Sequence, residues 1–555
     1  MIRGTWFVCC FAVFFVTGVE KLYAEEPAIP CAACHEQARK LEKSAHAGIP
    51  CETCHENHEK YPHPANIPKP VCTGCHAGEA EEYASSVHGQ ALKAGQEGIP
   101  DCGLCHGSAH ELLAPKSQAF RTAVPETCGL CHGEVARQFR NSVHGKALAR
   151  GITQAPLCTD CHGEHHILKH TDAYSPVNQA HIRDTCGSCH GDVRLTRKFG
   201  LPSDRLLSFD SSFHGLAAKA GSQSVANCAS CHGVHNILPS SDPQSTINPK
   251  HLAKTCGQCH PGAGARFAIS QVHVVEGRSE PAPIRWVRRF YWVLIPVTLG
   301  LMLLHNAGDW IRKLIRLRFR RNASPSDTGK HARGARDGML PFERAQHALL
   351  AISFIVLAYS GFALKYSDQW WARPLLLVEG TRSVRSLVHR AAAVVFMAVA
   401  VMHLISLLAN RKLRQHWKEI LPRVQDAREG LAGFAYNLGL GSRQPERSAH
   451  SYIQKTEYWA VVWGAVVMVT TGLLLWANNL ALKWFPKVWL DVATSIHFYE
   501  AILATAAVLI WHFYWVIFDP DVYPLDTSFL RNSRQGRQQE RPEEPALQPE
   551  TDEAP

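Results

Sequence analysis

The chain has no cysteine after Cys259, and its first half lacks any long apolar run beyond the N-terminal leader. It also contains no glycine-rich nucleotide loop, no hydrolase triad and no flavin fingerprint. These absences leave no obvious site for a nucleotide or a hydrolysable substrate. The net charge of +10 does not by itself indicate a nucleic-acid partner, and we expect none, because the densest basic cluster follows an apolar segment.

Eighteen of the 20 cysteines form nine copies of Cys-x-x-Cys-His. This spacing is typical of c-type haem attachment, in which both thiols add to the porphyrin and the following His binds iron. Zinc and disulfides are the alternatives, but nine pairs cannot be matched two by two, and neither needs a His at that position. The predicted cofactor-binding and proximal residues are Cys31, Cys34 and His35; Cys51, Cys54 and His55; Cys72, Cys75 and His76; Cys102, Cys105 and His106; Cys128, Cys131 and His132; Cys158, Cys161 and His162; Cys186, Cys189 and His190; Cys228, Cys231 and His232; and Cys256, Cys259 and His260.

Nine haems in residues 31–260 leave about 25 residues for each, too few for an ordinary apolar core. We therefore expect stacked porphyrins to form the core, with short helices and loops around them and almost no strand. The fold class predicted for the whole chain is mostly α, with this haem-packed domain followed by a transmembrane helical bundle.

The motifs alternate between two contexts, which makes an internal repeat of roughly 55 residues. In the first, a helical stretch leads to Ser-x-His or its like, and in the second a His follows almost at once. We expect nine such His to be distal iron ligands, which closes each haem to substrate and leaves it an electron carrier. They are His46, His88, His144, His214 and His273 in the first context, and His58, His110, His166 and His235 in the second. The alternatives are His165 in place of His166, and the spare His63, His170, His181 and His251.

Residues 1–24 have the shape of a secretory signal peptide, with an apolar run after Arg3. Leu22 is imperfect at the third position before the cut, so retention as an anchor is the alternative. We expect residues 25–277 to form a periplasmic nonahaem domain and residues 521–555, rich in Gln, Glu, Arg and Pro, to be a disordered cytoplasmic tail.

Five apolar segments of about 20 residues are each long enough to cross a bilayer. They lie near 287–308, 345–364, 387–409, 457–477 and 494–518. The basic run ending at Arg321 predicts that the first segment runs from outside to inside. We assign 278–321 to a linker, a tethering first span and a basic stop, 322–340 to a cytoplasmic loop, and 341–520 to a four-helix core.

Histidine inside a membrane helix is costly and by default functional. His389 and His497 lie at the outer ends of their spans, and His347 and His512 near the inner ends. The 15 residues between His497 and His512 correspond to about 22 Å of helix, which suits two stacked, non-covalently bound haems. We pair His389 with His497 and His347 with His512. The rivals at the inner haem are His403 and His305.

The second half resembles the di-haem cytochrome b subunits of formate dehydrogenases and nickel–iron hydrogenases. The residues that carry the likeness are Arg344-Ala345-Gln346-His347, Ser360-Gly361, His389-Arg390, Ile496-His497 and Trp511-His512-Phe513. Residues 31–280 and 341–520 together resemble the inner-membrane fusion cytochromes of metal-respiring bacteria. The spacing of 15 residues exceeds by one that of the formate dehydrogenase type, so the orientation of His512 is left open.

The resemblance implies a menaquinol-oxidising cytochrome with nine c haems and two b haems, with the quinone pool as one partner. Electrons would leave to periplasmic multihaem cytochromes or an outer-membrane conduit, and potentials alone would set their direction. The implied quinone site comprises His450, Tyr452, Gln454 and Lys455. The alternatives are a terminal reductase for nitrite, hydroxylamine or a sulfur oxyanion, and a membrane subunit for a separate dehydrogenase.

Overall fold

The computed structural model describes residues 30–55, 63, 70–261, 263–264, 272–275, 280–320, 341–378, 383–441 and 451–525. The chain divides into two compact units, residues 1–136 with 147–167 and residues 137–146 with 168–555. The predicted signal peptide, the loop 322–340 and most of the predicted tail lie outside the described residues.

Short helices follow or contain the haem motifs. Their termini coincide with local capping signals, because Asp101, Ser117 and Asn227 each accept a backbone N–H of the first turn. The α-helices are Glu36–Leu41, Ala77–Ser85, Val87–Lys93, Cys102–His106, Gln118–Gly129, Gly133–Asn141, Val143–Ala149, Cys158–His162, Ile182–His190, Val193–Lys198, Arg205–Ser211, Phe213–Lys219, Cys228–His232 and Leu252–Gly257, and the 3₁₀ turns are Cys31–Ala33, Cys51–Thr53 and Cys72–Gly74.

The haem-motif region, residues 30–275, builds no continuous apolar core from its described side chains. Its buried apolar residues are few and mostly small: Val124, Ala136, Leu148, Ala155, Leu157, Ala217, Ala220, Leu238 and Val275. Such a set is far too small to stabilise more than 200 residues by apolar burial alone. The protein part of this region therefore depends on something other than its own side chains for a core.

Five helices in the second unit are long and apolar enough to cross a membrane. Span 1 is Ala282–Arg320, span 2 Pro341–Lys365, span 3 Val384–Ala409 and span 4 Tyr452–Trp476, while span 5 is Lys487–Ala507 continued by π-helical turns Val508–His512 and Tyr514–Phe518. Shorter helices are Arg373–Leu376, Arg411–Ile420, Val424–Asn437 and Asn478–Trp484. With no strand among the described residues, the predicted mostly helical fold with five spans is confirmed.

Span 1 is more than the tether that the sequence suggested, because it packs along span 5. Near one end the Tyr291 hydroxyl donates to Glu500 Oε2 at 2.8 Å. Near the other, Lys313 Nζ lies 2.7 Å from Asp519 Oδ1 and 2.7 Å from Asp309 Oδ2, with all three side chains buried. A buried charge is tolerated only when it is paired, so these contacts fix the register of span 1 against span 5.

Candidate haem sites

Most motif histidines face a second imidazole at a nearly constant separation. Iron bound by two imidazoles needs ring nitrogens about 4 Å apart, since metal–nitrogen bonds are about 2 Å, and ring centroids about 6 Å apart. The centroid separations are 5.7 Å for His35 and His63, 6.0 Å for His55 and His110, 6.1 Å for His76 and His46, 6.1 Å for His106 and His165, 6.3 Å for His132 and His88, 6.2 Å for His190 and His144, 6.2 Å for His232 and His273, and 6.2 Å for His260 and His214. Each gap can take one iron.

The second-context histidines share a backbone contact that the sequence did not reveal. In each Ser-x-His segment, the middle residue donates its backbone N–H to a backbone carbonyl. That carbonyl belongs to the residue two positions after a second-context His. The donor–acceptor pairs are Ala45 with Leu112 at 2.8 Å, Val87 with Ile167 at 2.8 Å and Val143 with Ile237 at 2.9 Å. This register gives His110, His165 and His235 equivalent positions, and it favours His165 over the predicted His166.

Two other predicted positions differ from the structure or lie outside it. His58 is outside the described residues, and the ring that faces His35 is His63, which the sequence left spare. The rivals His181 and His251 direct Nε2 to the carbonyls of Ala173 and Pro243, both at 2.9 Å. His162 belongs to the first unit and His235 to the second.

The described motif cysteines form no disulfide, and no group of three or more potential metal ligands occurs among the described residues. First cysteines of consecutive motifs approach each other in pairs: Cys31 and Cys51, Cys72 and Cys102, Cys128 and Cys158, and Cys186 and Cys228. The Cys158 thiol donates to Cys128 and holds the pKa of Cys128 near 7. Paired thiols beside facing imidazoles fit covalently attached haem better than a Cys₄ zinc site.

Burial lowers the pKa of several facing histidines in the motif region, which favours the neutral form that iron ligation requires. Desolvation lowers the pKa of His144 to about 4, with a further contribution from His190. The pKa of His273 is also lowered to about 4, first by burial and then by Arg205. Burial likewise lowers the pKa of His88, His190, His214 and His232. The lone pairs of these rings are therefore available to a metal at neutral pH.

Serine and glycine fix the backbone around the histidines of the Ser-x-His-Gly segments, which are the predicted distal ligands. Ser142 is fully buried; its hydroxyl donates to the Phe139 carbonyl at 2.6 Å and accepts the Gly145 N–H at 3.1 Å. A Cβ at Gly145 would overlap the Phe139 carbonyl oxygen. The same arrangement recurs at Ser86–Gly89 and Ser212–Gly215. The serine was part of the predicted pattern and the glycine was not, although its repetition in the sequence was a usable signal.

In the helical bundle, His389 of span 3 faces His497 of span 5 with ring centroids 6.5 Å apart. The Ser360 hydroxyl donates to the Val356 carbonyl at 2.6 Å, so it accepts from His389 Nδ1 at 2.9 Å. The Thr471 hydroxyl donates to the Val467 carbonyl and accepts from His497 Nδ1 at 2.9 Å in the same way. Both imidazoles are therefore oriented with Nε2 towards the gap between them.

Glycine follows both of these hydroxyl residues, on two different helices. A Cβ at Gly361 would lie 3.5 Å from His389 Cε1, and one at Gly472 would lie 3.4 Å from His497 Cε1. Span 2 thus orients the histidine of span 3, and span 4 orients the histidine of span 5 in the same way. The pair Thr471-Gly472 was not predicted, although it matches Ser360-Gly361 in type.

The second pair in the bundle is His347 of span 2 and His512 of span 5, with ring centroids 6.3 Å apart. His512 ends the π-helical turn Val508–His512. One residue more in an α-helix rotates the remainder of that helix by about 100°, and a π turn absorbs such a residue. The π turn therefore accounts for the spacing of 15 residues between His497 and His512. Within this turn the Ile510 carbonyl accepts a hydrogen bond from the Asn306 side chain of span 1 at 2.8 Å.

Tyrosine hydroxyls engage both rival histidines. His403 Nε2 lies 2.9 Å from Tyr458 Oη, which also accepts from Trp417 Nε1 at 2.8 Å. The buried His305 has Nε2 2.7 Å from Tyr452 Oη. The geometry favours His347 over both at the inner position.

The residues of the implied quinone site divide between two faces of span 4. Lys455 is buried and pairs with Asp426 Oδ1 at 2.7 Å, and Tyr452 packs beside Gly433. Burial raises the pKa of Asp426, but Lys455 and the Arg423 N–H outweigh it and hold the pKa below its usual value. Gln454 is exposed, and His450 lies outside the described residues.

A search of curated proteins and a search of solved structures gave no match to this chain. The comparison with protein families gave a match in the second half of the chain. Residues 339–525 match the family of prokaryotic cytochrome b561, so the C-terminal region is a membrane b-type cytochrome domain that takes part in electron transfer.

Proposed function

We propose that the protein carries electrons from menaquinol in the membrane to acceptors in the periplasm. Two electrons pass from the quinol to the inner b haem, through the outer b haem and into the nine c haems. They leave to a periplasmic multihaem cytochrome or an outer-membrane conduit. The observation that carries this proposal is the set of ten facing imidazole pairs with ring centroids 5.7–6.5 Å apart.

Facing imidazoles favour electron transfer over bond chemistry. An iron held on both sides by imidazole has no open position for nitrite, hydroxylamine or a sulfur oxyanion. The haem supplies the redox chemistry, and the protein supplies spacing and tuning. We assign His235 the same distal role as His110 and His165, and the equivalent backbone hydrogen bonds two residues after each of them support this assignment. No motif in the repeat then stands out as a catalytic haem.

The location proposed for each half follows from its chemistry. In bacteria c haems are attached outside the cytoplasm, so the motif region belongs in the periplasm, behind the predicted signal peptide. The basic residues Arg312, Lys313 and Arg316 near the end of span 1 favour a cytoplasmic inner side and a cytoplasmic C-terminus. The outer pair, His389 and His497, then lies nearer the c haems than the inner pair.

We place quinol oxidation at the inner end of the bundle, around Tyr452 and Lys455. Quinol loses two protons with its two electrons, so the site needs groups that hold and pass protons. Asp426 with Lys455, and His305 with Tyr452, supply such groups close to the start of span 4. Gln454 and His450 complete the site that the resemblance implies.

The experiment is reduction of the air-oxidised, full-length protein by menadiol in liposomes, with b and c bands followed separately. We expect b haems to be reduced first and c haems after them. Gln454→Leu and Lys455→Gln should slow both phases without changing haem content, with the exposed Thr456→Val as the control. Unchanged rates in both variants would remove the quinone site, and failure of menadiol to reduce either band would remove the function. A high-spin c band in the oxidised spectrum would favour the terminal reductase instead.

A further inference from the structure

The last haem motif contacts the membrane domain through an amide side chain. His260 Nδ1 lies 3.2 Å from Asn479 Oδ1, on the short helix Asn478–Trp484 between spans 4 and 5. The amide oxygen is an acceptor only, so the ring N–H donates to it. Both residues belong to the second compact unit. The proximal ligand of the ninth motif thus receives an oriented acceptor from the cytochrome b region.

An electrostatic interaction and an ion pair bring the same site to the same surface. Lys487, the first residue of span 5, acts electrostatically on both His214 and Cys256, the facing imidazole and the first cysteine of this motif. Lys219, on the helix that carries His214, lies 3.6 Å from Asp368 in the segment after span 2. The ninth site therefore rests on the ends of spans 2, 4 and 5.

Span 5 connects this surface to the outer b site directly. Lys487 and His497 lie on one continuous helix, 10 residues or about 15 Å apart along its axis. The ninth motif accordingly lies at the same end of span 5 as the imidazole pair of His389 and His497.

Resting on the proposed function, we infer that electrons enter the c-haem chain at the ninth motif, and that Asn479 is a positioning residue that tunes this haem. An acceptor on Nδ1 raises the electron density of the ligand and stabilises the oxidised iron. The hydrogen bond therefore lowers the potential of the ninth haem and orients its imidazole. Because the acceptor comes from the membrane domain, the tuning depends on docking between the two.

The test is spectroelectrochemical titration of the full-length protein with three substitutions at Asn479. Asn479→Leu removes the acceptor and should raise the potential of one c haem. Asn479→Asp supplies a charged acceptor and should lower it, while Asn479→Gln should restore the wild-type value in part. Asn478→Leu makes the same chemical change one residue earlier and is the matched control. His214→Met should raise the potential of the same component strongly and so identify it as the ninth haem.

The kinetic arm follows b-to-c electron transfer after menadiol reduction. Asn479→Leu should change the rate of the first c phase while leaving reduction of the b haems unchanged. The inference is overturned if the haem potentials in Asn479→Leu and Asn479→Asp stay at the wild-type values. It is also overturned if the haem whose potential shifts in these variants is not the haem whose potential shifts in His214→Met. That result is distinct from failure of the proposed function, in which menadiol reduces neither band.

Discussion

The haem-motif region and the helical bundle bring imidazoles to the same separation by opposite means. In the first, short helices and turns hold His88 and His132 with ring centroids 6.3 Å apart, beside few buried apolar side chains. In the second, long packed helices hold His347 and His512 at the same 6.3 Å. In the proposed function the first would place its ligands through covalent haem attachment, whereas the second places them by helix packing.

This difference decides what each half needs in order to fold. The backbone of the bundle is satisfied within its helices, and its apolar surface faces lipid. The motif region has no such reserve, because few of its described apolar side chains are buried. We therefore expect the two halves to respond differently to loss of haem.

The largest expected effect comes from blocking c-haem attachment. Production in cells without the attachment machinery should leave the motif region unfolded and open to protease, while the bundle keeps its b haems. Pyridine haemochrome analysis and limited proteolysis measure the two outcomes. A protease-resistant motif region without haem would show that this half builds a core of its own.

The next effect tests ligand pairing in the bundle. His497→Ala should remove about half of the b-haem absorbance and leave all c haems, since His389 loses its facing ligand. His403→Ala is the control, because His403 Nε2 is engaged by Tyr458. If His403→Ala lost a b haem and His497→Ala did not, the assignment of the outer pair would be wrong.

The sequence was sufficient for the helical fold, because motif spacing and apolar runs are local signals. The five membrane-capable helices follow directly from runs of about 20 apolar residues. The role of span 1 was not readable, since its contacts with Glu500, Ile510 and Asp519 join residues about 200 positions apart.

The individual ligands were less predictable than the fold, for a physical reason. The ring that faces a motif His lies far from it along the chain, so the order of histidines in the sequence does not say which two rings meet. His63 faces His35, and His165 rather than its neighbour His166 faces His106. The π turn before His512 was equally hidden, because a single extra residue has no signature in composition.

A smaller effect tests the close approach at the Ser-x-His-Gly segments. Gly145→Ala should destabilise the motif region by about 1–3 kcal/mol, because its Cβ would overlap the Phe139 carbonyl. Gly78→Ala, in the helix Ala77–Ser85 and outside any haem motif, is the matched control, because a Cβ there meets no atom within 4 Å. Thermal unfolding followed by the c-haem Soret band compares the two. Equal unfolding midpoints for the two variants would show that the backbone around Gly145 and Phe139 shifts to accept the added Cβ at no cost in stability.

The smallest effect concerns the hydroxyls that orient the outer ligands. Thr471→Val keeps the shape of the side chain but removes the acceptor of His497 Nδ1. Loss of such a contact typically costs about 10–100-fold in metal affinity, so the outer b haem should be retained less well and its potential should rise. Thr471→Ser keeps the hydroxyl and should behave as wild type. Potentiometric titration of the b bands distinguishes Thr471→Val from Thr471→Ser. Because the Ser360 hydroxyl accepts from His389 Nδ1 in the same way, Ser360→Ala should shift the potential of the same b haem. Shifts in different components would mean that the two hydroxyls serve different haems.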